Sequence, residues 1–330
     1  MRNVYLVSVG SRSGKSVLSL GLALNYPGKA GFYKPFRESL VTRDGHPLDQ
    51  DAVLMAKVLN LADREKLSPF VYDIFEPISM EDVVRGYNDV CRDRDFMVIE
   101  GSRDFANGCS HDISHFDIAK ELKAPIVLVS STSHQSIDSI FMFREICEQK
   151  GLEMKGVVLN RCEGSKEKDF LIGRGINVIG EIPNIPELRT FHVFEITENI
   201  RSEVIAGASG MDNVVEDVIV GAMSPQVAIR YMRRSKAKAV ITGGDRTEIQ
   251  LAALSTSTSC IIVTGGIVPS RMVTSRADEL GVPIIMTEED TLSAAELVEH
   301  LIARIDPRDT EKIDLIVKNV RKGIDLDEVW

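Results

Sequence analysis

Short apolar runs alternate along the chain with longer stretches in which apolar residues recur at helical spacing. This alternation is typical of a mostly parallel sheet with helices on both faces. A first set of predicted strands comprises residues 4–9, 30–33, 96–100, 126–130, 157–160 and 178–181. A second set comprises residues 204–206, 218–220, 239–242, 260–264 and 283–287. We therefore predict an α/β protein in which a smaller α/β domain follows the first sheet.

Two prolines, Pro183 and Pro186, separate the two sets of strands, and proline ends regular elements. We place the domain boundary just after them, which gives domains at 1–190 and 191–305. The remaining residues, 306–330, carry Ile313, Ile316 and Val320 at helical spacing and form a predicted helical tail. The pattern leaves open whether this tail packs on its own domain or on another subunit.

Composition and charge narrow the class of protein. The five cysteines are scattered, which favours reduced thiols and a cytoplasmic protein over a disulfide framework. A formal net charge of −10 disfavours a nucleic-acid partner, because nucleic-acid phosphates would be repelled. The longest apolar runs fall well short of the roughly 20 residues that a membrane helix needs, so no membrane partner is expected.

The sequence GSRSGKS, residues 10–16, follows a predicted strand and precedes a predicted helix. Glycines allow such a loop to curl until several N–H groups face one phosphate, and the helix dipole adds positive potential. The spacing departs from the usual phosphate loop, because three residues instead of four separate the two glycines. The alternative is an ordinary strand–turn–helix. As a phosphate loop, the segment predicts binding of a nucleotide such as ATP by Gly10, Ser11, Arg12, Ser13, Gly14, Lys15 and Ser16.

Three oxygen-bearing side chains fit a magnesium site near this loop. The Ser16 hydroxyl occupies the phosphate-loop position that contacts Mg²⁺. Glu100 ends a predicted strand, so its carboxylate is expected at the sheet edge beside the loop. Asp51 opens a predicted helix, where an acid also favours the helix dipole without any metal. Magnesium prefers oxygen ligands such as these. For Asp51, the sequence pattern alone leaves both interpretations open, a metal ligand and a helix-start residue.

With these residues identified, the first 190 positions resemble the dethiobiotin synthetase family. The matching segments, in chain order, are the loop up to Ser16, the Gly-x-x-Lys-Pro segment at 31–35, the Asp-Ala start at 51, the Glu-Gly pair at 100, the strand ending at Asn160 and the Gly-x-x-Pro segment at 180–183. The resemblance implies ATP and Mg²⁺ as cofactors, with Ser16, Asp51 and Glu100 holding the metal.

The same resemblance implies roles for four further residues. Lys15 and Lys34 would be the catalytic lysines, with Lys34 near both substrate and phosphates. Asn160 would recognise adenine, and Pro183 would lie near the base. The family also implies a homodimer, because its substrate site commonly forms between subunits. One departure concerns the substrate: where the family has small residues after the Glu-Gly pair, this chain has Ser102-Arg-Asp-Phe105.

The remaining half resembles the DRTGG domain, through segments such as 220–224, 241–246 and 263–266. That domain follows a dethiobiotin-synthetase-like domain at the front of long phosphotransacetylases, and the resemblance extends to that front region without its acetyltransferase domain. Two functions follow as hypotheses. The first is a nucleotide-responsive regulatory module whose partner is a small-molecule acid or a metabolic enzyme. The second is an ATP-dependent enzyme that activates a small carboxylate or carbamate.

Two weaker patterns also carry alternatives. The residues from Cys109 to His115 offer a thiol, an acid and two histidines, which suit a polar loop, a contact with substrate or a transition-metal site. The turn from Gly243 to Arg246 follows a strand and could present N–H groups and a guanidinium to an anion. Its alternative is a tight turn in which an Asp–Arg pair joins two loops.

Overall fold

The protein is described here by a computed structural model that covers residues 1–10, 13–43, 46–103, 105–164, 166–302 and 304–330. The chain divides into two compact units. The first unit comprises Met1–Ile185 together with Ile305–Trp330, and the second unit comprises Pro186–Arg304. The structure thus assigns the carboxyl-terminal tail to the first unit, a choice that the sequence pattern left open.

The first unit begins with a run of alternating strands and helices. Its strands are β1 (Arg2–Ser8), β2 (Ala30–Tyr33), β3 (Phe36–Arg37), β4 (Leu40–Arg43), β5 (His46–Asp49), β6 (Phe70–Val71), β7 (Phe96–Glu100), β8 (Ile126–Ser130), β9 (Met154–Cys162) and β10 (Val178–Pro183). Its helices up to residue 185 are α1 (Lys15–Asn25), α2 (Gln50–Val58), α3 (Arg64–Leu67), α4 (Met80–Val90), α5 (His115–Glu121), α6 (His134–Lys150) and α7 (Lys166–Gly173). Among the residues described, no helix has the length and apolar character that crossing a membrane requires.

A parallel sheet of six strands, in the order β10-β9-β8-β1-β7-β2, forms the centre of the first unit. Strands β7 and β8 are buried along their whole length, because helices cover both faces of the sheet. On one face, Tyr5, Ile99 and Leu128 pack with Val83 of α4 and Phe143 of α6. The other face lies against α1. This architecture confirms the fold class predicted from the alternating pattern.

The second unit is a smaller α/β layer structure. Its strands are β11 (Phe191–His192), β12 (Ser202–Ala206), β13 (Val214–Val215), β14 (Asp217–Val220), β15 (Lys238–Gly243), β16 (Thr258–Thr264) and β17 (Ile284–Thr287). Its helices are α8 (Val193–Asn199), α9 (Pro225–Met232), α10 (Thr247–Leu254), α11 (Arg271–Leu280) and α12 (Thr291–Ile302). The main sheet has the order β12-β17-β16-β15-β14, with only β12 antiparallel among the strands described. One apolar cluster lies on each face of this sheet.

The tail returns to the first unit and covers α1. It forms α13 (Thr310–Gly323) and α14 (Leu326–Val329). The backbone of α13 comes so close to α1 that a Cβ atom added at Gly21 would lie 2.3 Å from Val320 Cγ2. Asn25 donates from Nδ2 to the Val317 carbonyl at 3.0 Å, and Trp330 packs edge-on against the Phe96 ring. The apolar residues of the tail therefore pack within the first unit.

This close approach predicts the effect of adding one methyl group. We expect Gly21→Ala to lower the free energy of unfolding of the first unit by about 1–3 kcal/mol, because the new methyl group would overlap Val320. Pairing it with Val320→Ala should recover part of that loss. Urea unfolding followed by fluorescence of Trp330, the only tryptophan, measures the change in this unit.

The matched control for this prediction is Gly173→Ala at the end of α7. A Cβ atom at Gly173 would meet no atom within 4 Å, so the substitution should be neutral or slightly stabilising. Equal unfolding midpoints for Gly21→Ala and Gly173→Ala would contradict the packing described for α1 and α13.

Candidate functional site

The phosphate loop joins the end of β1 to the start of α1. Gly14 adopts a positive φ of 98°, and a Cβ atom there would lie 2.0 Å from Asn160 Nδ2, so only glycine fits. Ser13 donates from its hydroxyl to the Gly10 carbonyl at 2.7 Å, which closes the loop on itself. Ser11 and Arg12, which the sequence also assigns to the nucleotide, lie outside the described residues.

The amino terminus of α1 is electrostatically suited to an anion. Its first turn contains no acidic residue, and its N-cap Gly14 has no side chain to accept the free N–H groups. These groups carry partial positive charge and are ready to donate to an incoming phosphate. Such an arrangement is typical of phosphate binding at helix amino termini.

Lys15 is the first residue of α1, and its side chain is buried. Its ammonium donates to the Ser8 hydroxyl at 2.7 Å, which directs the side chain back toward the end of β1. Burial lowers the pKa of Lys15, while the nearby carboxylate of Glu100 opposes that shift. A phosphate that took over the Ser8 contact would satisfy this buried ammonium.

The two predicted acids converge on the start of α1. Glu100 ends β7, and its carboxylate accepts from the Ser19 hydroxyl at 2.6 Å and from the Ser16 hydroxyl at 3.4 Å. The Ser16 hydroxyl also lies close to Asp51, in the first turn of α2, and helps to lower the pKa of that carboxyl. The structure thus brings together Ser16, Asp51 and Glu100, which are far apart in sequence.

Lys34 follows β2 and places its ammonium among four carboxylates. Its Nζ lies 2.6 Å from Asp51, 3.1 Å from Asp49, 3.8 Å from Glu38 and 3.9 Å from Glu100. Burial alone would lower the pKa of Lys34, but the four carboxylates outweigh it and raise the pKa well above its usual value. Lys34 is therefore charged at every physiological pH.

The carboxylates themselves differ in their proton affinity. Burial, reinforced by the charge of Asp51, raises the pKa of Glu100 to about 8. Burial would also raise the pKa of Asp51, but the charge and hydrogen bond of Lys34 outweigh it, so that pKa falls below its ordinary value. The cluster therefore holds one acid, Asp51, that stays ionised beside another, Glu100, whose carboxyl group still binds a proton at neutral pH.

The donor set suits magnesium. One hydroxyl and two carboxylates from three separate elements face a common space beside the phosphate loop, and Mg²⁺ prefers oxygen ligands of this kind. Asp51 lies in the first turn of α2, where an acidic side chain is favourable even without a metal. This is the alternative that the sequence pattern left open for Asp51. Its contacts to Ser16 and Lys34 bring its carboxylate beside the Ser16 hydroxyl, and its role as a metal ligand stays a prediction.

Asn160 and Pro183 lie at the neighbouring ends of β9 and β10, where Asn160 is paired in register with Ile182. Asn160 is buried and donates from Nδ2 to the Ser13 carbonyl at 2.9 Å, so its amide supports the phosphate loop. Pro183 is exposed. Recognition of adenine by Asn160 stays a prediction. The side-chain carbonyl oxygen of Asn160 would have to make that contact, because its Nδ2 donates to the Ser13 carbonyl.

Glu38 is a site residue that the sequence did not reveal. Its carboxylate accepts from the backbone N–H of Arg103 at 2.5 Å, and burial raises its pKa. The Arg103 guanidinium donates to the Ser39 hydroxyl at 2.6 Å, so the residues after Glu100 are tied to the segment after β3. Asp104 lies outside the described residues. The only sequence signal for Glu38 is an acid four residues after Lys34.

The histidines between Cys109 and His115 do not converge. His115 is buried and joins the Tyr5 hydroxyl, at 3.0 Å from Nδ1, to the Ser102 hydroxyl, at 3.3 Å from Nε2. His111 instead bonds through Nε2 to the Ile74 carbonyl. Within the described ranges, no three His, Cys, Asp or Glu side chains form a metal-ligand group. Of the alternatives for this segment, the structure favours a polar loop.

In the turn after β15 of the second unit, Arg246 makes its contacts within the protein. Arg246 donates from Nη1 to the Gly221 carbonyl at 2.5 Å and from Nη2 to the Met223 carbonyl at 2.8 Å. This guanidinium joins two loops, as the second alternative proposed, but it does so through carbonyl groups and not through the expected pair with Asp245. Both Nη groups are engaged within the protein, which disfavours an anion site at this arginine.

Comparison with known proteins finds a match for each part of the chain. A family model described as "AAA domain" matches residues 2–190, and one described as "DRTGG domain" matches residues 195–301. The phosphate acetyltransferase of Nitratidesulfovibrio vulgaris is 23% identical over 99% of this chain and 51% of its own length. That of Synechocystis sp. is 24% identical over 98% and 50%. The ATP-dependent dethiobiotin synthetase of Clostridium perfringens is 26% identical over 60% of this chain and 97% of its own. The chain thus spans about half the length of the phosphate acetyltransferases that it matches.

Proposed function

Because the chain belongs to the AAA domain family through residues 2–190 and carries a DRTGG domain behind it, we propose that its first unit binds ATP with Mg²⁺ and that the protein is a nucleotide-responsive regulatory or metabolic module. The observation that carries this proposal is the convergence of Lys15, Ser16, Asp51 and Glu100 beside the phosphate loop. The similarity of the chain to phosphate acetyltransferases and dethiobiotin synthetases supports a function related to the reactions of these enzymes.

Each residue would have a separate task. The free N–H groups at the start of α1 and the Lys15 ammonium would bind the phosphates. Ser16, Asp51 and Glu100 would hold Mg²⁺, which, when bound, supplies positive charge to the phosphate oxygens. At the other end of the loop, Asn160 and Pro183 would lie near the base.

The region around Glu38 favours regulation over ligation. A ligase of the dethiobiotin synthetase type needs room for an acidic acceptor near Lys34. Here the protein's own Glu38 carboxylate lies 3.8 Å from the Lys34 ammonium, held by the backbone of Arg103. An external carboxylate would meet Glu38, Asp49 and Asp51 at the same ammonium, and like charges at that distance repel.

A second function rests on Lys34 itself. A buried ammonium beside the phosphate site could hold a small carboxylate or carbamate for attack on the terminal phosphoryl group of ATP. This alternative requires Glu38 to give up its contact with Lys34. Release of ADP that depends on one acid from a panel of small carboxylates would favour the enzyme, whereas ATP binding with negligible hydrolysis under that panel favours the regulatory module.

Calorimetric titration with ATP, ADP and GTP, with and without Mg²⁺, tests nucleotide binding directly. We expect Lys15→Met to weaken ATP binding about 10–100-fold, because it removes a charged hydrogen-bond donor to phosphate. Lys29→Met, at an exposed lysine before β2, is the control and should bind ATP like the wild type. Equal affinities of the two variants for ATP would show that Lys15 does not contact the nucleotide.

A further inference from the structure

The Lys34 ammonium lies between the two carboxylates assigned to the metal. Its Nζ is 2.6 Å from an Asp51 oxygen and 3.9 Å from a Glu100 oxygen, and its side chain is only 2% exposed. Two buried carboxylates that face one another repel unless a proton or a positive charge lies between them. Among the described residues, Lys34 makes the closest ion pair with Asp51. The ammonium thus has the location and the charge that a bound cation would have.

We propose that Lys34 takes the place of the divalent cation in the nucleotide-free protein and moves from Asp51 to the phosphates when the metal arrives with the nucleotide. This inference rests on the proposed function, since it uses the same carboxylates. It adds an exchange of cations, in which the protein alone has low affinity for free Mg²⁺ because a metal ion would have to displace a buried ion pair.

The other partners of Lys34 make this exchange feasible. Asp49 lies 3.1 Å and Glu38 lies 3.8 Å from Nζ, and neither is assigned to the metal. Lys34 can therefore give up Asp51 and still have two carboxylates as partners, so that the ammonium is never left buried without a counter-charge. Incoming phosphate oxygens would replace Asp51 as the third partner. Binding of the metal to Asp51 and contact of Lys34 with the phosphates are thereby coupled through the Lys34 side chain.

Titration with Mn²⁺ in the absence of nucleotide, followed by electron paramagnetic resonance, tests this exchange. The test variant is Lys34→Met combined with Glu38→Gln, which removes one positive and one negative charge and leaves the net charge of the cluster unchanged. The amide that replaces the Glu38 carboxylate would keep an oxygen to accept from the Arg103 N–H. We expect this variant to bind free Mn²⁺ at least about tenfold more tightly than the wild type.

Glu38→Gln alone is the control, because it retains Lys34 and should bind Mn²⁺ as weakly as the wild type. Equal affinity of all three proteins for Mn²⁺ would overturn the exchange. If the double variant does not fold, the wild-type unfolding midpoint with and without free Mg²⁺ decides instead. The exchange requires Mg²⁺ without nucleotide to leave that midpoint unchanged, and a rise in the midpoint would contradict it.

The same set of measurements separates this inference from the proposed function. A wild-type protein that binds Mg-ATP in the calorimeter, together with equal Mn²⁺ affinities, would remove the exchange and leave nucleotide binding intact. A wild-type protein that fails to bind ATP would remove the nucleotide function, while tighter Mn²⁺ binding by the double variant would still establish Lys34 as the cation between Asp51 and Glu100.

Discussion

Lys34→Met is expected to lower the free energy of unfolding of the first unit by about 3–5 kcal/mol at pH 8, because it leaves several buried carboxylates without their counter-ion. Lys34 is 2% exposed, so solvent does not screen the loss. Chemical unfolding monitored by Trp330 fluorescence measures the change, since Trp330 packs on Tyr26 and Phe96 within the same unit.

The loss should depend on pH with a defined sign. In the wild type, Lys34 lowers the folded-state pKa of Asp51 below its ordinary value of 3.8. Ionised Asp51 therefore stabilises the folded unit above pH 3.8, and this contribution is lost only as the pH falls through the lowered pKa. Without Lys34, the folded-state pKa of Asp51 should rise above its unfolded value, and the pKa values of Glu100 and Glu38, which burial already raises in the wild type, should rise further. The variant should therefore become less stable as pH rises. The difference between the two proteins should therefore shrink from pH 8 toward pH 4.

Lys66→Met is the matched control for charge removal. Lys66 pairs with Asp63 at 3.0 Å, but both side chains are largely exposed, at 60% and 47%. Exposed pairs contribute about 0–1 kcal/mol, so this variant should unfold almost like the wild type. If Lys34→Met lost no more stability than Lys66→Met at pH 8, the buried acidic cluster around Lys34 would have to be abandoned.

Gly14→Ala is expected to weaken ATP binding more than about 100-fold, the largest effect among the binding variants. The added methyl group would lie 2.0 Å from Asn160 Nδ2, and the φ of 98° disfavours any L side chain. The loop would have to leave the position in which, as proposed, its N–H groups and Lys15 would face one phosphate. Calorimetry with Mg-ATP measures the loss, and circular dichroism establishes that the variant is folded.

Gly164→Ala provides the comparison for this substitution. A methyl group at Gly164 would meet no atom within 4 Å, and its φ lies outside the left-handed range. This variant should bind ATP with wild-type affinity. Retention of ATP affinity by Gly14→Ala would mean that the loop does not hold the nucleotide in the conformation described.

The principal elements of both sheets follow from the sequence pattern for a physical reason. Central strands such as β7 and β8 are buried on both faces, so they appear as uninterrupted apolar runs. The position of Glu100 could be predicted as well, because a residue at the carboxyl end of a parallel strand lies at the edge where the phosphate loop begins. The position of Glu100 in the site can therefore be predicted from the local periodicity and from the residue at which the strand ends.

Glu38, Asp49 and the tail could not be placed in the same way. Asp49 comes to lie near Glu38 and Lys34 because β4 and β5 pair as an antiparallel hairpin with Asp49 opposite Leu40. Strands of so few residues leave little periodic signal. The docking of α13 depends on the absence of a side chain at Gly21, opposite Val320. Apolar spacing shows that a helix has a buried face, but it does not identify the surface that the face contacts.

The return of α13 to α1 has a consequence for synthesis on the ribosome. The first unit is discontinuous, because Met1–Ile185 is completed only by Ile305–Trp330. The α1 surface that α13 covers must stay uncovered while all of Pro186–Arg304 is translated, whereas that intervening segment is continuous and has apolar clusters of its own on both sheet faces. The second unit can therefore mature first during translation, and the first unit reaches its final packing only after Ile305–Trp330 has been translated.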